Sequence, residues 1–171
     1  AKEAGIALIV GARLDLVDGI SVLAYPVDRA AYGRLSRLIT RGRRRAPKGE
    51  CALVRDDVLT HGKGLVFIVL GDGDDDATLA QTGALCAAFP GAVYLGGHNL
   101  CRGDDRRALA RRAHLATLAG VPLVALNDVR MHERARQPLL DIVTCIREKC
   151  TIDNAGLRLD ANAERHLKSA A

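Results

Sequence analysis

The chain has 171 residues, 49% of them hydrophobic, with 25 Lys and Arg against 20 Asp and Glu and a net charge of +5. That length supports a domain with its own core, and the composition excludes a disordered or low-complexity chain. No apolar run approaches the roughly 18 residues of a membrane span. With no tryptophan and only three Tyr and two Phe, the core must be built from Ala, Val, Leu and Ile.

The mild basic balance is compatible with nucleic acid without requiring it. Five cysteines, Cys51, Cys86, Cys101, Cys145 and Cys150, are odd in number and form no CxxC pair. This pattern reads as reduced thiols in a cytoplasmic compartment. AKEAGIALIV lacks the basic region and long apolar stretch of a signal peptide. AKEAG has the form of a helix tail ending at Gly5, so the chain is expected to begin inside a domain.

From there strands and helices alternate. Ile6 to Val10 is an apolar run and a candidate buried strand, and Ser21 to Tyr25 is a second, stopped by Pro26. Asp28 is placed to cap a helix over 28–41, with Ala31, Leu35, Leu38 and Ile39 on one face and Gly42 at its end. Arg41 to Glu50, RGRRRAPKGE, is expected to be a basic loop. Arg43, Arg44 and Arg45 in it are candidate contacts to a phosphate backbone. The competing reading is a solvated connector, which the lack of interleaved aromatics favours.

A short helix opens at Asp56 and ends near Gly62, and Leu65 to Leu70 is the most apolar strand candidate. The acidic run after Gly71 invites a calcium reading, but the spacing fails: Ala77 and Gly83 stand where the loop needs Gly and Glu. Capping of a helix over 76–89 is the better account. Ala92 to Leu95 is the next strand, followed by a helix over 104–119 with acidic residues at its positive end. Residues 122–126, PLVAL, form a buried strand, and Pro138 lies at the start of a helix over 136–148. After Cys150 the chain becomes a polar tail.

The chemistry concentrates in Asn127-Asp128-Val129-Arg130-Met131-His132, at the carboxyl end of a strand, where parallel α/β proteins place their sites. The plainer alternative is that Asn127 and Asp128 shape a turn and cap the next helix. His98 follows another strand, so His98, Asp128 and His132 are candidate ligands of a divalent metal. His98 and Cys101 have an isolated HxxC spacing. His61, His114 and His166 stand in helical or tail positions. No GxGxxG, GxxxxGK[ST] or GxSxG motif is present.

Several strings occur together in order: LIVGARLDL, LAYPVDRAAYGRLSRLIT, KGECALVRDDVLTHGKGLVFI, VYLGGHNLCRGDD, LVALNDVRMH, PLLDIVTCIREKCTID and ANAERHLKS. Over essentially its whole length the chain resembles the error-prone bacterial DNA polymerases related to the polymerase III alpha subunit. The part resembled is their N-terminal polymerase-and-histidinol-phosphatase (PHP) module. The resemblance implies an α/β fold, an incomplete PHP-type distorted (β/α)7 barrel with mostly parallel strands. It implies that residues 1–150 are the C-terminal part of that module and that 151–171 begin the connection to a polymerase core. For the parent protein it implies DNA-templated nucleotide addition with Mg2+ in damage-induced mutagenesis and translesion synthesis, with DNA and other mutagenesis or replication proteins as partners. The segment itself is then a structural and interaction module with no cofactor of its own. A metal-dependent phosphoesterase of the PHP type is the alternative, and a freestanding nucleic-acid-binding protein a third reading.

Departures from the family pattern bear on the metal site. The HxH strand and the second Asp/His element that open the family's metal cluster would precede residue 1. Arg13 stands where metal-binding members often carry Glu, and Arg130 where a DxH ending would place His. His98 matches the mid-module histidine and Asp128 the aspartate, while His132 lies only nearby. Error-prone members tend to read TNDV-x-YH at this strand end. Here Leu126 and Met131 replace the Thr and Tyr. Cations at two ligand positions repel a metal, and nothing in the chain matches the palm aspartates of the family's polymerase site.

Overall fold

The structure, a computed structural model, describes residues 3–71 and 74–169. It contains β1 (Ala12–Leu14), β2 (Val22–Pro26), α1 (Arg29–Arg45), α2 (Arg55–His61), β3 (Leu65–Val69) and α3 (Asp75–Ala88). These are followed by β4 (Val93–His98), α4 (Asp105–Ala119), β5 (Leu123–Leu126) and α5 (Gln137–Glu148). The strands form one sheet in the order β1-β2-β3-β4-β5. The chain divides into two compact units. One comprises residues up to Gly96 with Arg112–Val124, the other Gly97–Arg111 with the residues from Ala125 onwards.

The α/β class is as expected, but the sheet is mixed and open in place of mostly parallel. β1 pairs antiparallel with β2, and β2 antiparallel with β3, whereas β3 and β4 are parallel. The connections explain this. Only residues 15–21 join β1 to β2, too few for the crossover a parallel pair needs. Between β2 and β3 the chain makes two helices, out and back, and its ends meet where Val27 N–H donates to Gly64 C=O at 3.1 Å. Between β3 and β4 it makes one helix, α3, which gives the parallel crossover.

The expected strand over Ile6 to Val10 is not formed. Ile6, Leu8 and Ile9 are exposed and the backbone is irregular. Extending the β1–β2 register, in which Ala12 faces Ala24, would put Val10 opposite Pro26 and Ile6 opposite Ala30 in α1. β2 ends at Pro26, which has no N–H to donate, and beyond it no strand lies opposite residues 6–9, so apolarity alone gives no ladder. Of the expected helix tail before Gly5, residues 1 and 2 lie outside the described residues, and 3–5 form a turn.

The core of the first unit lies between the sheet and its helices. Leu65, Phe67 and Val69 alternate inward from β3 and meet Ala31, Leu35 and Leu38 of α1, with Val58 of α2 and Leu85 of α3. Phe67 and Phe89 place their rings 5.2 Å apart, tilted by 34°. The two Phe residues, scarce in this chain, are spent on one contact.

Two further expectations change. The basic stretch is not a loop from Arg41 onward: α1 continues through Arg45 and stops at Ala46, just before Pro47. Gly42 does not end the helix. It is a buried interior position where a Cβ would lie 2.6 Å from Cys51 Sγ and 2.7 Å from Leu53 Cγ. The acidic run does cap α3, with the Asp74 carboxylate accepting from Asp76 N–H at 3.3 Å and Ala77 N–H at 3.2 Å. Asp72 and Gly73 of that run lie outside the described residues.

Candidate functional site

In the second unit, the polar stretch after β5 faces the chain's own tail. Arg130 and Met131 donate their backbone N–H groups to Arg165 C=O at 2.8 and 3.2 Å, and Leu167 N–H donates to Met131 C=O at 3.1 Å. The Asn127 side-chain amide donates to His166 C=O at 2.6 Å. A short parallel bridge joins Met131 to His166. The Met131 side chain is buried. Asp128, at φ +43°, occupies the left-handed turn that brings the cluster round.

Four charged side chains close this turn. Arg165 lies 3.3 Å from Asp128 and 3.1 Å from Asp160, and Arg130 lies 3.8 Å from Asp128 and 3.9 Å from Asp160. Two carboxylates thus face two guanidiniums. Arg165 is the least exposed of the four, and its desolvation lowers its pKa. A cation so placed needs its acidic partners, because burial disfavours the charged form. Both guanidiniums approach the same oxygen of Asp128, Oδ2.

His132 is held elsewhere. Its Nε2 lies 3.4 Å from Glu133 Oε1, and the ring is largely exposed. His98 ends β4 and is half-buried. Among the described residues, no three His, Cys, Asp or Glu side chains converge so as to hold a metal ion. Neither Asn127 nor Asp128 caps α5, whose N-cap is Arg136 with no side-chain bond. Cys101 is exposed and sits in a loop at φ +52°. That loop is organised by Asp105, whose carboxylate accepts from the N–H groups of Leu100, Arg102 and Gly103 at 2.7, 2.6 and 3.2 Å. These bonds, led by that from Leu100, hold the Asp105 carboxyl below its usual range. Asn162 secures the same loop by donating to Leu100 C=O at 2.8 Å.

The first unit carries the other candidate, the arginines of α1. Asp57, buried at the start of α2, accepts from Arg45 through two bonds of 2.7 and 3.0 Å, from Arg41 Nε at 2.8 Å and from Val54 N–H at 3.2 Å. The Arg45 bond, first among these, holds its carboxyl below the ordinary range and raises Arg45 in turn. Arg37, Arg41 and Arg44 follow the i, i+4, i+7 spacing of one helix face. With Thr40, Arg45 and His61 they line an open cavity of about 600 Å³. Arg43 is not among the lining residues. It lies one position from Arg44 and so projects about 100° away around the helix. Of the three expected phosphate contacts, Arg44 thus reaches the cavity, Arg45 does so while engaged by Asp57, and Arg43 does not.

No protein-family model matches the chain. Among curated proteins it is 45% identical over 168 residues to error-prone DNA polymerase 1 of Agrobacterium fabrum, and 48% identical over 167 residues to the error-prone DNA polymerase of Rhodopseudomonas palustris. It is 44% identical over 171 residues to that of Caulobacter vibrioides. These alignments cover 98%, 96% and 99% of this chain. The chain matches a segment of the bacterial error-prone DNA polymerases. It spans about 15% of the length of the curated relatives it matches.

Two features of these clusters are not legible in the sequence. Asp160 and Arg165, the partners of the strand-end cluster, lie in the polar tail, more than 30 positions from Asp128. No spacing rule connects them to it. Asp57 was visible only as part of a helix start, and its two arginine partners only as a charge run.

Proposed function

We propose that this segment is a structural and interaction module of an error-prone DNA polymerase and performs no phosphoester chemistry itself. The observation that carries the reading is the ion-pair cluster of Asp128, Arg130, Asp160 and Arg165 at the strand end. A phosphoesterase would need three ligands per catalytic metal and an open position there. Here the one carboxylate in place is held by guanidiniums, which fix the tail against the turn. The DNA polymerase names of the relatives support the assignment of the parent protein.

On this reading the full-length protein adds nucleotides to a DNA primer on a template, with Mg2+ held by carboxylates outside this segment. It acts in the cytoplasm on damaged DNA, in mutagenic and translesion synthesis, beside other replication or mutagenesis proteins. No helix of the described residues is long and apolar enough to cross a membrane. Residues 1–150 then belong to a PHP-type domain, and 151–171 to the connection towards the polymerase core.

Calorimetric titration of the purified chain with Zn2+ and Mn2+, with and without His98→Ala, tests this reading together with a chromogenic phosphate ester assay. No turnover and no binding dependent on His98 is expected. Micromolar metal binding that disappears in His98→Ala, accompanied by phosphatase turnover, overturns it in favour of the phosphoesterase.

A further inference from the structure

We infer that the cavity beside α1 is a binding site for the phosphate backbone of nucleic acid, with Arg37 and Arg44 as its principal contacts. The arginines are arranged on two levels. Arg45 and Arg41 are tied down by the buried carboxylate of Asp57, and this fixes the helix end and the wall of the cavity. Arg37 and Arg44 line the same cavity, and among the described residues neither makes an ion pair. Arg37 donates Nε to Gly33 C=O at 3.2 Å within its own helix, leaving its terminal amino groups for a ligand.

The charge count favours a polyanion. Four guanidiniums line the cavity, and the carboxylate of Asp57 pairs with only two of them, Arg41 and Arg45. Three basic residues in the last turn also satisfy the negative end of the helix dipole, so the helix itself does not oppose their crowding. Guanidiniums suit phosphate because their planar fork makes paired hydrogen bonds to its oxygens. Thr40 adds a hydroxyl, but it donates to Ser36 C=O at 2.8 Å and so serves the helix first.

The lining also says what is not read. Thr40 and His61 are its only other members, and no Phe, Tyr or Trp is among them. Base stacking, the usual device of single-strand binders, has no platform here. The site is therefore expected to track the backbone, with little preference for sequence or for single over double strand. That the polyanion is DNA rests on the proposed place of this segment in a polymerase. The binding of phosphates rests on the arginine geometry alone.

Fluorescence anisotropy with labelled duplex and single-stranded DNA, from about 50 to about 200 mM salt, tests the inference. Wild-type chain should bind both forms, with affinity falling steeply as salt rises. The double variant Arg37→Ala/Arg44→Ala should bind more weakly, and its log–log salt slope should be smaller by roughly one for each contact removed. Arg43→Ala, on another side of the helix, should match wild type, and Arg37→Lys/Arg44→Lys should retain much of the binding. Circular dichroism melting of each variant guards against loss of fold. The inference is overturned by no wild-type binding at low salt, by an unchanged affinity and slope in the double alanine variant, or by an equal loss in Arg43→Ala. Each of those outcomes leaves the module reading intact, because that reading fails on metal binding and phosphatase turnover instead.

Discussion

Arg45 holds the buried carboxylate of Asp57 with two bonds, Nη1 to Oδ2 at 2.7 Å and Nη2 to Oδ1 at 3.0 Å, joining the end of α1 to the start of α2. Asp57 is only 4% exposed, while the Arg45 side chain is 38% exposed. The acid is thus the desolvated partner and the arginine the wetter one. Asp57→Asn keeps the shape but removes the charge that both Arg45 and Arg41 use. A loss of roughly 1–3 kcal/mol is expected in denaturant melts at neutral pH. The folded carboxyl lies below its ordinary value, so the pair contributes fully above the unfolded Asp pKa of about 3.9 and is lost as pH falls through the lower folded value. Wild type and Asp57→Asn should therefore converge in stability in acid. A gap that stays constant as pH falls well below the unfolded Asp value of about 3.9 would refute the assignment, because the charged pair's contribution declines once the unfolded carboxyl begins to bind its proton.

The strand-end cluster gives a second prediction. Asp128→Ala removes one of two carboxylates facing Arg165, and leaves Asp160 with both guanidiniums. Because Asp128 is itself 35% exposed, part of its effect is screened by water. The expected cost is about 1–2 kcal/mol, below that of a fully buried pair. A double-mutant cycle with Arg165→Ala should show coupling, whereas one between Asp128 and His132 should show none. Equal coupling to both would mean that Asp128 and His132 act as one set, as metal ligands would.

Much of this fold could be read from residue order, because period and punctuation are local signals. Asp28 and the acidic run after Gly71 announced their helices by type and position, and the side chains of Asp28 and Asp74 both accept from backbone N–H groups three residues on. Pro138 marked the start of α5 in the same way. The failures were non-local. Ile6 to Val10 has the composition of a strand but no partner strand, and pairing is a property of the sheet. Gly42 has the identity of a terminator, yet its neighbours Cys51 and Leu53 decide its role. At the strand end, Asp128 and Arg130 were legible as a charge pair in sequence. The larger contribution of Arg165 and Asp160 was not, because a polar tail gives no periodicity from which to infer its docking.

Gly42 offers a direct test of packing against propensity. Inside an exposed helix, Gly→Ala stabilises by roughly 0.5–1 kcal/mol. Here the new Cβ would meet Leu53, only 2% exposed, and the Sγ of Cys51. A buried Leu has little room to yield, and overpacking costs roughly 1–3 kcal/mol. Gly42→Ala should therefore lower the melting temperature, and Gly42→Ala in a Cys51→Ala background should recover part of the loss. A melting temperature equal to or above wild type would show that α1 packs loosely against the Cys51–Leu53 segment.

The last prediction concerns α5. Leu139, Ile142, Val143 and Ile146 recur at the i, i+3, i+4, i+7 spacing of one helix face, yet all four are more than half exposed. Its buried residues are Thr144 and Cys145, on a different face. The exposed part of such a stripe adds little to the stability of its unit, but it lowers solubility, since contiguous exposed apolar surface drives association. Ile142→Lys with Ile146→Glu should leave the melting temperature within the small range of ordinary surface substitutions, about 0.5 kcal/mol. The two charges are four apart on the helix surface, so they are not mutually repulsive. Self-association in sedimentation and binding of a hydrophobic dye should both fall relative to wild type. Loss of the folded state in the double variant would mean that the stripe is part of a core, and unchanged association would mean that another surface causes it.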